Sequence, residues 1–255
     1  MQHVDNWQHQ MNKILDQIKK IVDIRPHKCI VLGSGLDNFI NELDNTKILD
    51  YNQISGFPKT NVEGHAGQFV FGYLNNIPVL CAKGRFHHYE GHSFDDVGII
   101  IKIFNFFNPN KILITNSCGC LRLDWELGNF MIVEKFLDFS FISKNIPVYF
   151  KLNNKLKKNY NLYKGCYTYT IGPTYETKSE IDEIINLGGD AVGMSTFPEY
   201  LMCKKLNIEP IIICCLTNYG AGLKKEKINH KDVLINANKS EKKFNQLIID
   251  IIQNT

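Results

Sequence analysis

Four short apolar runs, each followed at once by glycine, hydroxyl or amide residues, constrain the fold of this chain most strongly. KCIVL leads into GSG, KILI into TNSCG, CYTYTI into GPTYE, and PIIICCL into TNYGAG. Runs of this length and apolarity predict buried strands, and amphipathic segments separate them along the chain. Strands that alternate with helices form a largely parallel sheet, whose carboxyl ends meet at one edge. We therefore expect the polar residues at the four strand ends to gather on one rim.

The segments between the strands predict helices and one hairpin. The spacing of apolar residues indicates an N-terminal helix over about 9–23, ended by Pro26. QFVFGYL and IPVLCAK flank Asn75-Asn76, which is typical of a two-residue hairpin turn. HSFDDVGIIIKIFNFF, TKSEIDEIINLGG and the final NHKDVLINANKSEKKFNQLIIDIIQ each predict one helix, the last with Asn229 as its cap. The fold class is thus α/β.

We predict a single domain over residues 1–255, with a core from about residue 28 to the end. A mixed central sheet, mostly parallel and carrying the hairpin, would be flanked by helices. PIIICCLTN, the most apolar run, is expected near the centre of the sheet.

Composition excludes several classes of protein. The 255 residues are 44% hydrophobic with a formal charge of +3, which is ordinary globular material and does not indicate nucleic-acid binding. No apolar run approaches the roughly 20 residues of a membrane helix, and the first ten residues lack a signal-peptide core. The eight cysteines form no CxxC pair. We expect reduced thiols in a cytoplasmic protein, with no metal site and no membrane or nucleic-acid partner.

The segment KGRFHHYEGH, from Lys83 to His92, concentrates bases and histidines. Arg85 offers a planar fork that suits phosphate, and His87 could share its face. A solvated basic loop remains the alternative for this segment in isolation. GSGL also favours a small anion, because it lacks both the GxGxxG pattern and a P-loop.

Eight blocks together resemble one family: GSGL, EGHAGQFVFG, GRFHHYEGH, TNSCG, GPTYET, DAVGMSTFPE, LTN and the NH near the C-terminus. In order and approximate spacing they are similar to the trimeric, low-molecular-mass purine nucleoside phosphorylases. The resemblance runs from about Cys29 to the final helix. It implies the nucleoside phosphorylase fold, a homotrimer, and a role in purine salvage.

The resemblance also implies a reaction. Inorganic phosphate, the co-substrate, attacks C1′ of a purine nucleoside and releases the base and ribose 1-phosphate, without a cofactor. Phosphate would be held by Ser34, His65, Arg85, His87, Ser117 and Ser195. The nucleoside would be held by Tyr89, Tyr175, Glu176, Val192, Met194, Thr217, Asn218 and His230. Of these residues His87, Glu176 and Asn218 are the expected catalytic ones.

Residue chemistry suggests which purine is accepted. A 6-oxopurine presents N1–H to the Glu176 carboxylate, whereas adenine presents a lone pair there, so we expect inosine and guanosine. Asn218 can donate to N7. Methylthioadenosine phosphorylase, the runner-up family, typically has Asp at that position and an apolar residue at His230. Packing alone would explain Val192 and Met194, and helix capping would explain Glu176, Ser195 and Thr196.

Three departures from the family pattern raise a further alternative, a purine- or phosphate-binding relative with little turnover. Cys120 stands where a second glycine is usual, and would cost about 1 kcal/mol or more if that position needs a positive φ. Asp37 also replaces a glycine. The region 139–165 is short and lacks the loop whose aromatic residue reaches the neighbouring subunit. Phe141, Tyr149 and Phe150 are the candidates to replace it.

Overall fold

A computed structural model of the chain describes residues 2–58, 67–140, 148–151, 156, 160–225 and 230–255, with side chains for all of these except 2–8, 148–150 and 230–232. The helices are α1 Gln2–Ile18, α2 Phe94–Val97, α3 Ile99–Phe106, α4 Lys178–Asn186, α5 Phe197–Lys205, α6 His230–Lys239 and α7 Glu241–Asn254. The strands are β1 Lys28–Leu32, β2 Asp44–Asp50, β3 Gln68–Leu74, β4 Ile77–Lys83, β5 Lys111–Cys120, β6 Phe130–Asp138, β7 Val148–Lys151, β8 Tyr163–Tyr169, β9 Ala191–Gly193 and β10 Ile211–Tyr219.

The ten strands of the described residues form one sheet that closes on itself at one end. Its order is β2, β3, β4, β1, β5, β9, β8, β6, β10, with β7 paired to β6. Because β10 also pairs with β5, five strands (β5, β9, β8, β6 and β10) complete a closed circuit. The predicted interior position of β10 is confirmed, since it has neighbours on both sides.

The mixed sheet flanked by helices is confirmed, but the expectation that it is mostly parallel is wrong. Five strand pairings among the described residues are parallel and five are antiparallel. Three of the antiparallel pairings involve the short strands β7 and β9 and the exposed edge strand β2. These three strands contain no apolar run from which they could be predicted. The hairpin of β3 and β4 is confirmed, with Asn75 and Asn76 both at positive φ, 48° and 66°.

Apolar side chains leave both faces of the sheet alternately and form two packed layers. Cys29 and Val31 of β1 join the layer beneath α1, α3 and α5, whereas Ile30 and Leu32 join the layer beneath α6 and α7. A small third cluster holds α4 against β9 through Ile184 and Val192. The sheet is therefore covered on both faces, and its free rim is where the strands end.

Three predicted helices have different bounds. α1 begins earlier than residue 9 and ends at Ile18 rather than near 23. The segment after His92 forms two helices that divide at Gly98. A β-carbon at Gly98 would lie 2.8 Å from Met202, so the close approach of α5 requires glycine here. The C-terminal helix divides at Ser240, whose hydroxyl donates to the carbonyl of Asn236 at 3.2 Å, a contact that bends helices. The predicted cap Asn229 lies outside the described residues.

Candidate active site

One cavity of about 130 Å³ lies at the rim where the strands end. Six strands deliver residues to it: β1, β4, β5, β8, β9 and β10. It is lined by most of the predicted site residues: Ser34, Arg85, His87, Tyr89, Ser117, Tyr175, Glu176, Val192, Met194, Ser195, Thr217 and Asn218. The expectation that the strand ends meet on one rim is correct.

The remaining predicted residues fall outside what the structure describes. His65 lies in the segment 59–66, and the side chain of His230 is not among those described. Phe141 and the side chains of the other two candidate aromatic residues, Tyr149 and Phe150, are likewise not described. The roles given to these five residues stay predictions.

The polar segments TNSCG and TNY, expected as loops, are strand instead. β5 continues through Cys120 and β10 through Tyr219. Residues 115–118 of β5 pair with the apolar residues 213–216 of β10, and residues 119–120 pair with residues 218–219. The pairing shifts register between Leu216 and Asn218, a bulge at Thr217 of the kind that re-aims side chains beside active sites. Rigid strands rather than loops therefore carry this part of the cavity wall.

At one end of the cavity the backbone of the turn after β1 lies close against β5. A β-carbon on Gly33 would lie 2.6 Å from the Cα of Asn116, so glycine alone fits between β1 and β5. The Gly33 N–H donates to the hydroxyl of Thr115 at 3.2 Å, and the Ser117 hydroxyl donates to the carbonyl of Ser34 at 2.7 Å. These bonds fix the turn after β1 against β5.

Arg85 lies at the same end and is held from two sides. Its Nη1 is within 3.1 Å of the Ser195 hydroxyl, 2.9 Å of the Thr196 hydroxyl and 3.2 Å of the Glu199 carboxylate, and Nη2 donates to the carbonyl of Thr115. The side chain is 2% exposed, yet its buried Nε–H has no acceptor among the described residues. A guanidinium that is immobilised where it lines a cavity is suited to an anionic ligand.

Glu199 was not predicted as a site residue, although it lies in the quoted block DAVGMSTFPE. Its carboxylate is completely buried in the first turn of α5, and Oε1 has no donor among the described residues. Burial raises the pKa of Glu199, and the guanidinium of Arg85 opposes that rise. A carboxylate in the first turn of a helix is common, so the sequence alone does not distinguish this buried partner of Arg85 from a helix-terminal charge.

Thr196 has an unusual backbone conformation at φ 73° and ψ −40°. Phe197 N–H donates to the carbonyl of Ser195 at 2.8 Å, which makes Thr196 the centre of a γ-turn of the rare positive-φ kind. Its buried hydroxyl accepts from Arg85 at 2.9 Å and from Asn116 Nδ2 at 2.8 Å, and makes no capping bond to α5. Helix capping therefore does not explain Thr196, whose strain is of the kind found at functional sites.

His87 is oriented by a carboxylate. Glu90 Oε1 accepts from the His87 backbone N–H at 2.8 Å and lies 3.1 Å from its Nδ1, so Nδ1 carries the proton. The imidazole stacks on the Tyr89 ring, with centroids 4.8 Å apart and planes inclined by 18°. Both rings line the cavity, and burial raises the pKa of Tyr89 to about 12. The segment that holds Arg85 and His87 is thus a structured wall rather than a solvated basic loop.

Glu176 lines the cavity from the segment between β8 and α4. Its Oε1 accepts from the Thr170 hydroxyl at 2.7 Å, while burial raises its pKa. The neighbouring Thr177 caps α4 in a capping box with Glu180, so capping does not explain Glu176. This carboxylate faces the cavity as an acceptor.

Asn218 is fixed by its neighbours. Oδ1 lies 3.0 Å from the Thr217 hydroxyl, and Nδ2 donates to the carbonyl of Tyr219 at 3.0 Å. This network sets the amide orientation, and one N–H of Nδ2 remains for a ligand. Glu176 and Asn218 therefore give the cavity a carboxylate acceptor and an amide donor in addition to the Arg85 guanidinium.

Two of the three departures from the family pattern do not distort the site. Cys120 lies in β5 opposite Ala191, and is absent from the described residues that have positive φ, so the positive φ that would strain it does not occur. Asp37 forms an ion pair with Lys83 at 3.0 Å and thereby joins the segment after β1 to the end of β4.

Within the described part of the chain no group of histidine, cysteine, aspartate or glutamate side chains is arranged to hold a metal ion. Nor does any helix of that part combine the length and apolarity that a membrane crossing requires.

Comparison with known proteins identifies the class to which this fold and cavity belong. The sequence model of the phosphorylase superfamily matches residues 28–253. The chain therefore belongs to the phosphorylase superfamily. It is 31% identical to purine nucleoside phosphorylase 1 of Geobacillus stearothermophilus, over 93% of this chain and 94% of that protein. Purine nucleoside phosphorylase 1 of Bacillus subtilis is also 31% identical, over 92% of this chain and 94% of that one. Within the superfamily, the chain belongs to the purine nucleoside phosphorylases.

A solved structure supports the same placement. The purine nucleoside phosphorylase of Schistosoma mansoni in complex with inosine superposes with a TM-score of 0.82 at 26% identity, covering 97% of this chain and 96% of that one. The predicted fold and the resemblance to purine nucleoside phosphorylases are confirmed.

Proposed function

We propose that this chain catalyses the phosphate-dependent cleavage of inosine and guanosine to the free purine base and ribose 1-phosphate. One observation carries the proposal. The Arg85 guanidinium, held in place by Ser195, Thr196 and Glu199, and the Glu176 carboxylate line the same cavity of about 130 Å³. An anion and a purine N–H donor would thus be bound side by side.

The phosphate is held at the end formed by the turn after β1 and by Arg85. Ser34, the backbone at Ser117, the Ser195 hydroxyl and His87 surround that position together with the guanidinium. His65 is the further phosphate contact expected from the family. Holding phosphate against C1′ replaces a bimolecular encounter by a positioned attack, so no nucleophile from the protein is needed.

The purine is held at the other end. Glu176 accepts from N1–H, and from the exocyclic amine of guanine, while Asn218 donates to N7 as negative charge develops on the departing base. Tyr175 and Val192 flank the base, Tyr89 and Met194 contact the ribose, and His230 is expected at its 5′-hydroxyl. Glu176 and Asn218 stabilise the leaving group, and His87 contacts the attacking phosphate, which is why these three are assigned catalytic roles.

The test is cleavage of inosine with and without inorganic phosphate, following hypoxanthine and ribose 1-phosphate, with adenosine and methylthioadenosine in parallel. Phosphate-dependent release from inosine, with neither of the other two cleaved, is the expected result. Preferential cleavage of methylthioadenosine would indicate a methylthioadenosine phosphorylase instead. Tight inosine binding without product would make it a purine-binding relative.

We also propose a cytoplasmic homotrimer with a role in purine salvage. All eight cysteines are free and buried, which fits a reducing compartment. A mass in solution of three times the 29.3 kDa of one chain is expected, and a clean monomer would contradict the trimer.

A further inference from the structure

Thr170 occupies a place that neither motif nor mechanism has assigned. It follows β8 directly, is 8% exposed, and its backbone N–H donates to the carbonyl of Gly193 in β9 at 3.0 Å. The backbone position is therefore fixed by the sheet beside Val192, which lines the cavity.

The Thr170 hydroxyl donates to Oε1 of Glu176 at 2.7 Å, and this is a short, charge-assisted bond. The bond leaves Oε2 as the oxygen available to a bound purine. A carboxylate with one oxygen held by a rigid neighbour has lost most of its rotamer freedom before the ligand arrives, so less is lost on binding.

Thr170 reaches the ligand only through Glu176. Glu176 lines two cavities, the one already described and a second of about 220 Å³ on its other side. Thr170 lines the second and is not among the residues that line the first. Its hydroxyl lies behind the carboxylate as seen from a bound purine.

We propose that Thr170 is a positioning residue for purine recognition, which holds the Glu176 carboxylate from behind in the orientation that accepts from the base. This inference rests on the proposed function, because it deepens the role given there to Glu176. It adds a specificity-determining contact one residue beyond the end of β8.

The bond also favours the ionised form of the carboxylate. Burial raises the pKa of Glu176, the Thr170 hydroxyl lowers it, and the nearby carboxylate of Glu180 in α4 raises it. The other titratable groups that line the first cavity are Arg85, His87, Tyr89, Cys118 and Tyr175. Without the hydroxyl the pKa of Glu176 rises further, so its accepting form is lost at a higher pH as acid is added.

β8 supplies a matched control. Thr168 precedes Thr170 by two residues, so its side chain leaves the same face of the strand. It is also buried, but its hydroxyl has no hydrogen-bond partner among the described residues. Thr168→Val and Thr170→Val thus make the same isosteric change on one face, and only the second removes a bond to Glu176.

The experiment measures kcat/KM for inosine against pH, the phosphate KM, and hypoxanthine binding by calorimetry in the presence of phosphate. Thr170→Val should lower kcat/KM at pH 7 by about tenfold, the value of one hydrogen bond to a charged group. The acid limb of its profile should move to higher pH, and the phosphate KM should stay near that of the wild type. Thr170→Ser should restore the wild-type profile, and Thr168→Val should leave it unchanged.

Two results would overturn the inference. One is an unshifted acid limb and unchanged hypoxanthine affinity in Thr170→Val. The other is an equal loss in Thr168→Val and Thr170→Val with a raised phosphate KM, which would indicate a general disturbance of β8. If the wild type does not cleave inosine, the proposed function fails, and the pH dependence of hypoxanthine affinity in Thr170→Val still decides the role of Thr170.

Discussion

Arg85 and Glu199 form an ion pair with 3.2 Å between Nη1 and Oε2, and the two side chains are 2% and 0% exposed. The pair places a negative charge directly behind the group proposed to bind phosphate. In this geometry the carboxylate holds the guanidinium in place where it lines the cavity.

Replacing Glu199 by Ala should leave the Arg85 guanidinium buried without its carboxylate. Breaking a buried pair from one side costs about 3–5 kcal/mol, which corresponds to a fall in Tm of roughly 10 °C for a chain of this length. The phosphate KM should rise more than the inosine KM. Glu199→Gln keeps an acceptor and should lose less stability. Thermal unfolding and steady-state kinetics check both, and an unchanged Tm in Glu199→Ala would contradict the structural role of the pair.

Glu176→Gln should cut kcat/KM for inosine by about a hundredfold, because the amide presents a donor where the purine needs an acceptor. The matched control is Glu180→Gln in the next turn of the chain. That change preserves the capping box with Thr177 and should leave kinetics near those of the wild type. Equal kinetics in the two variants would remove Glu176 from base recognition.

Asn218→Asp should move the preference from inosine toward adenosine. A carboxylate accepts from the 6-amino group of adenine but repels the lone pair of N7 and the carbonyl of Tyr219, which now accepts from the amide at 3.0 Å. The ratio of the two kcat/KM values is the measurement. Unchanged selectivity would refute the role given to Asn218.

Asp37→Asn removes the charge that pairs with Lys83 and tests whether this departure from the family impairs activity. The two side chains are 27% and 20% exposed, so the pair should contribute no more than about 1 kcal/mol. We expect a small fall in Tm and an unchanged phosphate KM. A large gain in kcat would show instead that Asp37 hinders the site.

The elements of the fold that could be predicted from the sequence are those set by neighbouring residues. β1, with its apolar residues and terminal glycine turn, and the Asn75-Asn76 hairpin follow from a few adjacent residues. The pairing of β10 with β5 depends on residues about a hundred positions apart, and β9 is three residues long, so neither carries a local signal. The break at Gly98 is likewise set by Met202, far along the chain.

The residues of the site likewise fall into those that could be predicted from the sequence and those that could not. Arg85, His87, Glu176 and Asn218 could be placed because their blocks resemble a family, and the cavity contains all four. Glu199, Thr196 and Thr170 act from behind other side chains, and such contacts exist only once the chain has folded. Thr196 in particular has a backbone conformation that a threonine does not suggest.

The buried cysteines have a practical consequence for handling the protein. A thiol reacts with alkylating reagents as the thiolate, and burial raises the pKa of Cys29, Cys81 and Cys203 well above the ordinary value. All eight thiols are buried and only Cys118 of them lines the cavity, so iodoacetamide should reach the other seven when the chain opens. The rate of alkylation at each of these seven cysteines would therefore map local opening across β1, β4, β5, β8, α5 and β10, so that the chain carries its own set of reporters of unfolding.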